Sequence, residues 1–314
     1  MMMTTTSKLF RCWLLVFIFL VSCQHERKDT PTDGTTFIAV DETFAPIIQQ
    51  EIDVFESIYQ STGIIDRVCP EVDAFNLMLK DSVRMIVATR KLTEKEIRYF
   101  NDQKIFPQSI KIAIDGIAFI VHPTNQDTLL TTETIRDIML GKIFSWDQVN
   151  LASKLGPIKM IFDNPKSSTA EYAVKSICAE EKLSPSLTAL NSNPEVIDYV
   201  SKTPGAIGII GVSWVSDRRS SSSKGLPGKV KVVAISREKQ ATPENSYQPY
   251  QACLADGRYP YTRDVYVIMT EPRISLNTGF SSFIVSDRGQ RIILKSGLLP
   301  AIQPPREIHV KDGF

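Results

Sequence analysis

The stretch Phe37-Ile38-Ala39-Val40-Asp41-Glu42-Thr43-Phe44-Ala45-Pro46 joins a short apolar run to a segment with a different hydrophobic period. Its first four residues are typical of a strand. From Pro46 to Tyr59, apolar residues recur at Ile48, Ile52 and Phe55, which is the spacing of one helix face. The stretch therefore predicts a strand, a short turn and a helix.

The same alternation continues along the chain. The further predicted strands are 84–89, 110–121 with an interruption at Asp115-Gly116, 157–162, 206–212, 230–235 and 265–270. The further predicted helices are 94–100, 131–140, one from Ser167 or Ser168 to Cys178, one opened by Asn193-Pro194 as N-cap and first residue, 276–285 and 287–296. Residues 238–263 show no clear period. This alternation predicts an α/β fold with mixed, mostly parallel sheets flanked by helices.

The N-terminus carries the pattern of an export signal. Lys8 and Arg11 precede the apolar run 12–21, which is too short to span a bilayer but suits a signal-peptide core. The junction Leu20-Val21-Ser22-Cys23 resembles the bacterial lipobox, in which the cysteine is acylated. We predict a signal peptide over 1–22, lipidation at Cys23 and a polar tether over 23–36. The protein is then membrane-anchored and faces the periplasm or the cell exterior.

Composition limits the function classes. With 43% hydrophobic and 23% charged residues, the chain has ordinary globular usage. A net charge of +1 gives no basis for nucleic-acid binding. Cys69, Cys178 and Cys253 remain beyond the anchor, and they lack metal-ligand spacing. One disulfide at most is possible among them, and free thiols are the favoured interpretation.

The sequence has no pattern that indicates catalysis. There is no Gly-x-Ser-x-Gly elbow, no His-Glu-x-x-His motif and no Cys/His cluster. Adjacent acids such as Asp41-Glu42 are typical of solvated surfaces. We therefore predict a non-enzyme with no catalytic residue, no metal and no cofactor.

Three segments at predicted strand ends have the chemistry of anion recognition. Asn164-Pro165-Lys166-Ser167-Ser168-Thr169 joins a strand to a helix, where free backbone N–H groups, hydroxyls and a lysine favour an oxyanion. Thr43-Phe44 offers amides and a hydroxyl, and Thr89-Arg90 offers a guanidinium fork. Each segment also has an ordinary explanation: two helix starts and a surface salt bridge. Since ligands bind beyond the carboxyl ends of strands in open α/β sheets, the three together indicate one site.

A family resemblance follows from a series of stretches. They are Ile86 to Thr93, Ile112 to Ala118, Leu130 to Trp146, Ser167-Ser168-Thr169, Thr203 to Gly208, Tyr259 to Arg263 and Ser286 to Gln290. In this order and spacing the chain resembles the phosphate-binding proteins of ABC transporters, in their shorter bacterial lipoprotein form. The resemblance implies a two-lobed type II periplasmic-binding fold, with 37–121 plus 226–314 as one lobe and 122–225 as the other. It also implies phosphate or a similar anion as ligand and an ABC permease or other uptake complex as partner.

The implied phosphate site comprises Thr43, Phe44, Thr89, Arg90, Asp115, Lys166, Ser167, Ser168 and Thr169. The chain departs from the family pattern at Asp41-Glu42, at Val68-Cys69-Pro70-Glu71 and at Asp163, where small residues or an arginine are usual. Asp41 or Asp115 is a candidate acceptor for the proton of monohydrogen phosphate. Two alternatives stay open: an altered cleft that serves a sensing or assembly partner, and a different small ligand with a cationic group.

Overall fold

The computed structural model describes residues 29–179, 181–216 and 228–303. The predicted signal peptide and Cys23 lie outside this range, as does part of the predicted tether. Within the described range, no helix combines the length and apolar character that a membrane crossing needs.

The described residues form thirteen strands and eleven α-helices. The strands are β1 Gly34–Asp41, β2 Thr62–Cys69, β3 Met85–Ala88, β4 Gln108–Val121, β5 Leu129–Thr131, β6 Lys159–Phe162, β7 Thr188–Ala189, β8 Ala206–Gly211, β9 Lys231–Val232, β10 Ala234–Ser236, β11 Ser246–Tyr247, β12 Thr262–Met269 and β13 Leu299–Pro300. The helices are α1 Ala45–Ile58, α2 Glu71–Leu79, α3 Glu94–Asp102, α4 Thr132–Leu140, α5 Trp146–Val149, α6 Ser168–Tyr172, α7 Asn193–Lys202, α8 Ser213–Ser216, α9 Gln251–Ala255, α10 Leu276–Val285 and α11 Asp287–Lys295.

One long sheet organises the molecule, in the order β2-β1-β3-β12-β4-β8-β6-β7. Strand β4 is shared: as far as Gly116 it pairs with β12, and from Ile117 onward it pairs with β8. We call β2, β1, β3, β12 and the start of β4 the first half-sheet. The end of β4 with β8, β6 and β7 is the second half-sheet.

The sheet is mixed, as predicted, and the α/β class is confirmed. The outer pairs β1–β2, β1–β3, β6–β7 and β6–β8 are parallel. The central strands β12 and β4 run antiparallel to each other and to β3 and β8. The antiparallel share therefore exceeds the mostly parallel pattern expected from the sequence.

Both faces of each half-sheet are covered by helices. In β1, Ile38 and Val40 belong to the core with Phe55 of α1, whereas Ala39 lies in the core with Phe75 of α2. A strand buried on both faces is apolar at successive positions, which is the pattern of its sequence. The second half-sheet repeats this arrangement, with Phe119 on the α4 side and Ile120 on the α7 side.

Several helix ends carry local sequence signals. Thr93 and Glu96 form the capping box of α3, and Ser145 and Gln148 form that of α5. Gly141 ends α4 with a φ of 77°, a left-handed conformation that glycine adopts without strain.

Other local predictions were wrong. Strand β4 continues through Asp115-Gly116, because pairing passes there from one neighbour to the other without a break. The N-cap of α7 is Ser192, whose hydroxyl accepts from the Glu195 amide, so Asn193 is the first helical residue. The predicted strand 230–235 is divided at Val233 into β9 and β10.

The three cysteines of the described range are free thiols; Cys178 is buried, and Cys69 and Cys253 are partly exposed.

Five residues of the predicted first lobe pack in the same core as β6 and β8: Val233, Ile235, Leu254, Tyr259 and Tyr261. The predicted lobe limits stay a prediction.

Candidate functional site

The site forms where chain segments leave the carboxyl ends of strands in the two half-sheets. Asp41 is the last residue of β1 and the N-cap of a 3-10 helix, Glu42–Phe44. On the opposite side, Ser167 caps α6, because its hydroxyl accepts from the Ala170 amide at 3.1 Å. The cap leaves the amide and hydroxyl of Ser168 directed at the first half-sheet.

Asp41 and Ser168 meet across the cleft. Asp41 Oδ1 accepts the Thr43 amide at 2.9 Å and the Ser168 hydroxyl at 3.1 Å. Asp41 Oδ2 accepts the Ser168 amide at 3.4 Å. Both side chains are buried, so these are interior contacts between groups 127 positions apart in the chain.

A buried ion pair supplies the charge of the site. Arg263 on β12 faces Asp115 on β4 in the strand register, and Arg263 Nε donates to Asp115 Oδ2 at 2.9 Å. Burial raises the pKa of Asp115, and the neighbouring guanidinium opposes that shift. Arg263 Nη1 donates to the Ser168 hydroxyl oxygen at 2.9 Å, and the guanidinium lies 5.5 Å from the Phe44 ring centroid. One cation thus connects the first half-sheet to α6.

Three hydrogen-bond donors, on Arg263, on Thr43 and on the residue after Ser168, are buried and have no hydrogen-bond partner among the described residues. They are Arg263 Nη2, Thr43 Oγ1 and Thr169 Oγ1. Gly211 at the end of β8 brings two of them together: a Cβ there would overlap Thr43 Cγ2 and lie 3.7 Å from Arg263 Nη2. Buried donors without a partner carry a desolvation cost, so such a group is typical of a site that binds an acceptor.

The donors lie among carboxylates. Glu71 is buried at the start of α2, and burial, with the nearby charge of Asp41, raises its pKa to about 7. Glu42 has a pKa of about 7 and Asp163 one of about 6, both raised mainly by burial. At a pH above these pKa values, the three carboxylates add negative charge around Arg263.

Contacts across the cleft hold the two half-sheets together. A Glu42 carboxylate oxygen accepts the Asn193 amide of α7 at 3.1 Å, and the Ser213 hydroxyl donates to the Thr43 carbonyl at 3.2 Å. At the rim, Lys166 Nζ lies 3.4 Å from Asp73. The cleft is therefore closed over the Asp41–Ser168 contact.

The structure places several predicted site residues at this contact. Thr43, Phe44, Asp115 and Ser168 are buried there. Thr169 is also buried and follows Ser168 in α6. The Ser167 hydroxyl lies behind them and donates to Asp163 at 2.5 Å.

Three other predicted residues have different partners. The Thr89 amide and hydroxyl both donate to Glu71. The Arg90 guanidinium donates to both carboxylate oxygens of Glu96, at 2.9 and 3.0 Å, and stacks on the Phe75 ring. The Lys166 side chain is 61% exposed, so its ammonium lies in solvent at the rim.

Arg263 and Glu71 are the residues that the sequence did not single out as site residues. Arg263 ends the motif Tyr259 to Arg263, and it lies opposite Asp115 on the neighbouring strand. That cross-strand position is the signal, but it becomes visible only when the strand register is known. Glu71 is the last residue of the departing stretch Val68-Cys69-Pro70-Glu71, and no local pattern marks it as buried.

Known proteins share this architecture. The sequence profile of the PBP superfamily domain matches residues 26–288. The phosphate-binding protein PstS of Borreliella burgdorferi is 24% identical over 297 residues, covering 91% of this chain and 97% of its own length. PstS of Pseudomonas aeruginosa is 19% identical over 301 residues, covering 91% of this chain and 89% of its own length.

Solved structures have the same fold. An X-ray structure from Clostridium perfringens, described as a phosphate ABC transporter substrate-binding protein with bound phosphate, superposes with a TM-score of 0.70 at 22% identity, over 86% of this chain and 100% of its own. An ABC-type phosphate transport receptor from Vibrio cholerae gives a TM-score of 0.64 at 20% identity, over 85% of this chain and 100% of its own.

Proposed function

Because this chain belongs to the PBP superfamily, we propose that it is an extracytoplasmic solute-binding protein. It captures phosphate between two lobes for uptake. The names of its relatives support the ligand, since PstS proteins of two organisms match it over most of its length. They also support binding rather than catalysis as the activity. The fold of a structure with bound phosphate agrees with this assignment.

The observation that carries the proposal is the buried guanidinium of Arg263. One terminal nitrogen holds the Ser168 hydroxyl, and the other has no partner among the described residues. A guanidinium bonds most strongly to a charged oxygen acceptor, and in a buried position it needs one. An oxyanion that reaches Arg263 Nη2 and the Ser168 amide at once satisfies that need.

We propose that the ligand contacts are Thr43, Phe44, Ser168, Thr169 and Arg263, with Asp115 orienting the guanidinium. The buried Thr43 and Thr169 hydroxyls add neutral donors to this set.

The other predicted residues have supporting parts in this proposal. Ser167 caps α6 and so presents Ser168. Thr89 and Arg90 hold the surrounding loops through Glu71 and Glu96. Lys166 attracts anions at the rim.

The acidic surroundings favour a protonated oxyanion as ligand. Glu71 and Glu42 have pKa values of about 7, so near neutrality they share protons with a ligand that titrates in the same range. Phosphate carries a proton that a carboxylate can accept, whereas sulfate carries none near neutrality. We therefore propose that the site prefers phosphate to sulfate.

The membrane anchor and the transport partner belong to the same proposal. Lipidation of Cys23 anchors the protein to a membrane, and an ABC permease receives the ligand. Cys23→Ala is expected to move the protein from the membrane fraction to the soluble fraction without changing phosphate affinity.

Isothermal titration of the purified protein with phosphate, and separately with sulfate, tests the function. We expect saturable binding of one phosphate and much weaker binding of sulfate. Ser168→Ala is expected to weaken phosphate binding by about tenfold, because a charged hydrogen bond is lost. Ser201→Ala is the matched control, since the Ser201 hydroxyl bonds only locally, to the Asp198 carbonyl. Absence of phosphate binding at millimolar concentration contradicts the proposal.

A further inference from the structure

The Asp41 carboxylate is bound like a ligand by its own chain. Asp41 is fully buried, and three donors converge on its two oxygens: the Thr43 amide, the Ser168 amide and the Ser168 hydroxyl. The Thr43 contact alone is an ordinary N-cap, which any aspartate at the start of a helical turn can make. The two Ser168 contacts are additional, and they cross from the first half-sheet to the second.

These Ser168 groups are the ones that an oxyanion needs. Arg263 Nη1 already donates to the Ser168 hydroxyl oxygen, which orients the hydroxyl hydrogen toward Asp41. An N–H or O–H hydrogen bonds well to one acceptor at a time. The Asp41 carboxylate and a bound oxyanion therefore compete for the same donors.

We propose that Asp41 is an intramolecular competitor for the oxyanion site: its carboxylate holds Ser168 and closes the cleft, and phosphate binds by displacing it. The proposal rests on the proposed function, because it assumes an oxyanion at Ser168 and Arg263. It assigns to Asp41 a role distinct from accepting a ligand proton. The residue lowers the affinity and keeps the half-sheets joined until an anion replaces it.

The surrounding charges support competition over coexistence. Arg263 is the one cation in hydrogen-bond contact with Ser168 among the described residues. The carboxylates near it are Asp41, Glu42, Glu71, Asp115 and Asp163. Two anions next to a single guanidinium in a buried site repel each other strongly. A ligand gains most when Asp41 leaves Ser168 for solvent.

Competition has a simple quantitative consequence. When the self-closed form dominates, the apparent affinity for a ligand falls by the fraction of molecules whose site is free. Hydrogen bonds to a charged acceptor are strong enough to make that factor about tenfold or more. Removing the Asp41 carboxylate should therefore tighten phosphate binding by the same factor.

Two variants of Asp41 test the proposal. Asp41→Asn keeps the shape but removes the charge. Asp41→Ser keeps a side chain that caps the Thr43 amide but is too short to reach Ser168. We expect both variants to bind phosphate at least about tenfold more tightly than the parent protein. Small-angle X-ray scattering without ligand is expected to give a larger radius of gyration for Asp41→Ser, which returns to the parent value when phosphate is added.

Asp163→Asn separates competition from simple charge removal. Asp163 is a buried carboxylate of the same cleft, but it bonds to Ser167 and Asn193 and not to Ser168. Removing the Asp163 charge also weakens the repulsion of a bound anion, so phosphate affinity should rise, but by less than in the Asp41 variants. The radius of gyration without ligand should stay at the parent value. Asp198→Asn, which breaks only a surface pair with Lys202, is expected to change neither quantity.

The outcomes are distinct. If the parent protein binds phosphate but the Asp41 variants bind no more tightly, or Asp163→Asn gains as much as they do, the competitor role is wrong and the proposed function stands. If the parent protein, shown to be folded by circular dichroism, binds no phosphate at millimolar concentration, the proposed function is wrong and the competitor role with it. Tighter binding by the Asp41 variants, together with expansion of unliganded Asp41→Ser, supports both.

Discussion

Arg263 and Asp115 face each other on adjacent antiparallel strands and form an ion pair of 2.9 Å with both side chains almost fully buried. The pair fixes the direction of the guanidinium, so that one terminal nitrogen bonds to Ser168 and the other lies beside Gly211. The sheet thereby places a positive charge at the point where β4 passes from one half-sheet to the other.

Substitution of Arg263 is expected to affect binding and stability separately. Arg263→Lys keeps a charge but loses the planar fork, so phosphate affinity should fall by about 10- to 100-fold. Arg263→Ala leaves Asp115 buried without its partner, which should cost about 3–5 kcal/mol of unfolding free energy. Titration calorimetry measures the first effect and chemical denaturation the second. Equal phosphate affinity in Arg263→Lys and the parent protein would count against a direct contact.

Arg90 provides the contrasting case. Its guanidinium is engaged by Glu96 and stacked on Phe75, away from the Asp41–Ser168 contact. Arg90→Ala should reduce stability by about 1 kcal/mol through loss of a partly exposed ion pair and a cation–π contact. Phosphate affinity is expected to change less than about threefold, far less than in Arg263→Lys. A loss of phosphate affinity as large as that of the Arg263 variant would show that Arg90 contacts the ligand.

Gly211 is the position where added volume should act on the site directly. A methyl group there would overlap the methyl group of Thr43, which is fully buried, and would lie 3.7 Å from Arg263 Nη2. Gly211→Ala is therefore expected to weaken phosphate binding by at least about tenfold and to lower stability by about 1–3 kcal/mol. Gly63→Ala is the control, because its added Cβ would lie 3.3 Å from the exposed side chain of Thr35, which can shift. Unchanged phosphate binding in Gly211→Ala would show that the cleft tolerates a wider opening at this point.

Glu51 in α1 should dominate one part of the pH dependence of stability. It is fully buried, neither carboxylate oxygen has a hydrogen-bond partner among the described residues, and burial raises its pKa from 4.5 to about 9. The folded state holds the Glu51 proton more tightly than the unfolded chain does. The resulting contribution to the free energy of unfolding is therefore fully present below about pH 4.5 and is lost as pH rises toward 9. Glu51→Gln should stabilise the protein by about 1–3 kcal/mol at pH 8 and have little effect at pH 5. Denaturation curves at the two pH values decide this, and an equal effect at both would contradict the assignment.

The sequence was sufficient for the parts of the fold that depend on local pattern. The apolar run around Ala39 predicted a strand, which the structure buries on both faces. The ends of α3 and α4 follow local signals at Thr93 and Gly141. These features depend on residues within a few positions of one another. The predicted segment around Ser168 also reached the site, because it combines a strand end with a helix start.

What the sequence could not predict depends on contacts between distant segments. Arg90 and Arg263 are similar as isolated residues, and only the register of β12 against β4 directs Arg263 toward Ser168. Asp41 likewise has the pattern of a surface acid, yet the meeting of two half-sheets buries it against a residue 127 positions away. β2, α2 and the short strands β5, β7, β11 and β13 carry too little periodicity to be recognised alone.

A crystal structure of the protein grown with phosphate tests the central claim most directly. We expect a tetrahedral anion with oxygens about 3 Å from Arg263 Nη2 and from the Ser168 amide nitrogen, with the Asp41 carboxylate moved away from Ser168. Phosphate bound elsewhere, or a cleft in which Asp41 keeps all three of its contacts at saturating phosphate, would contradict the account.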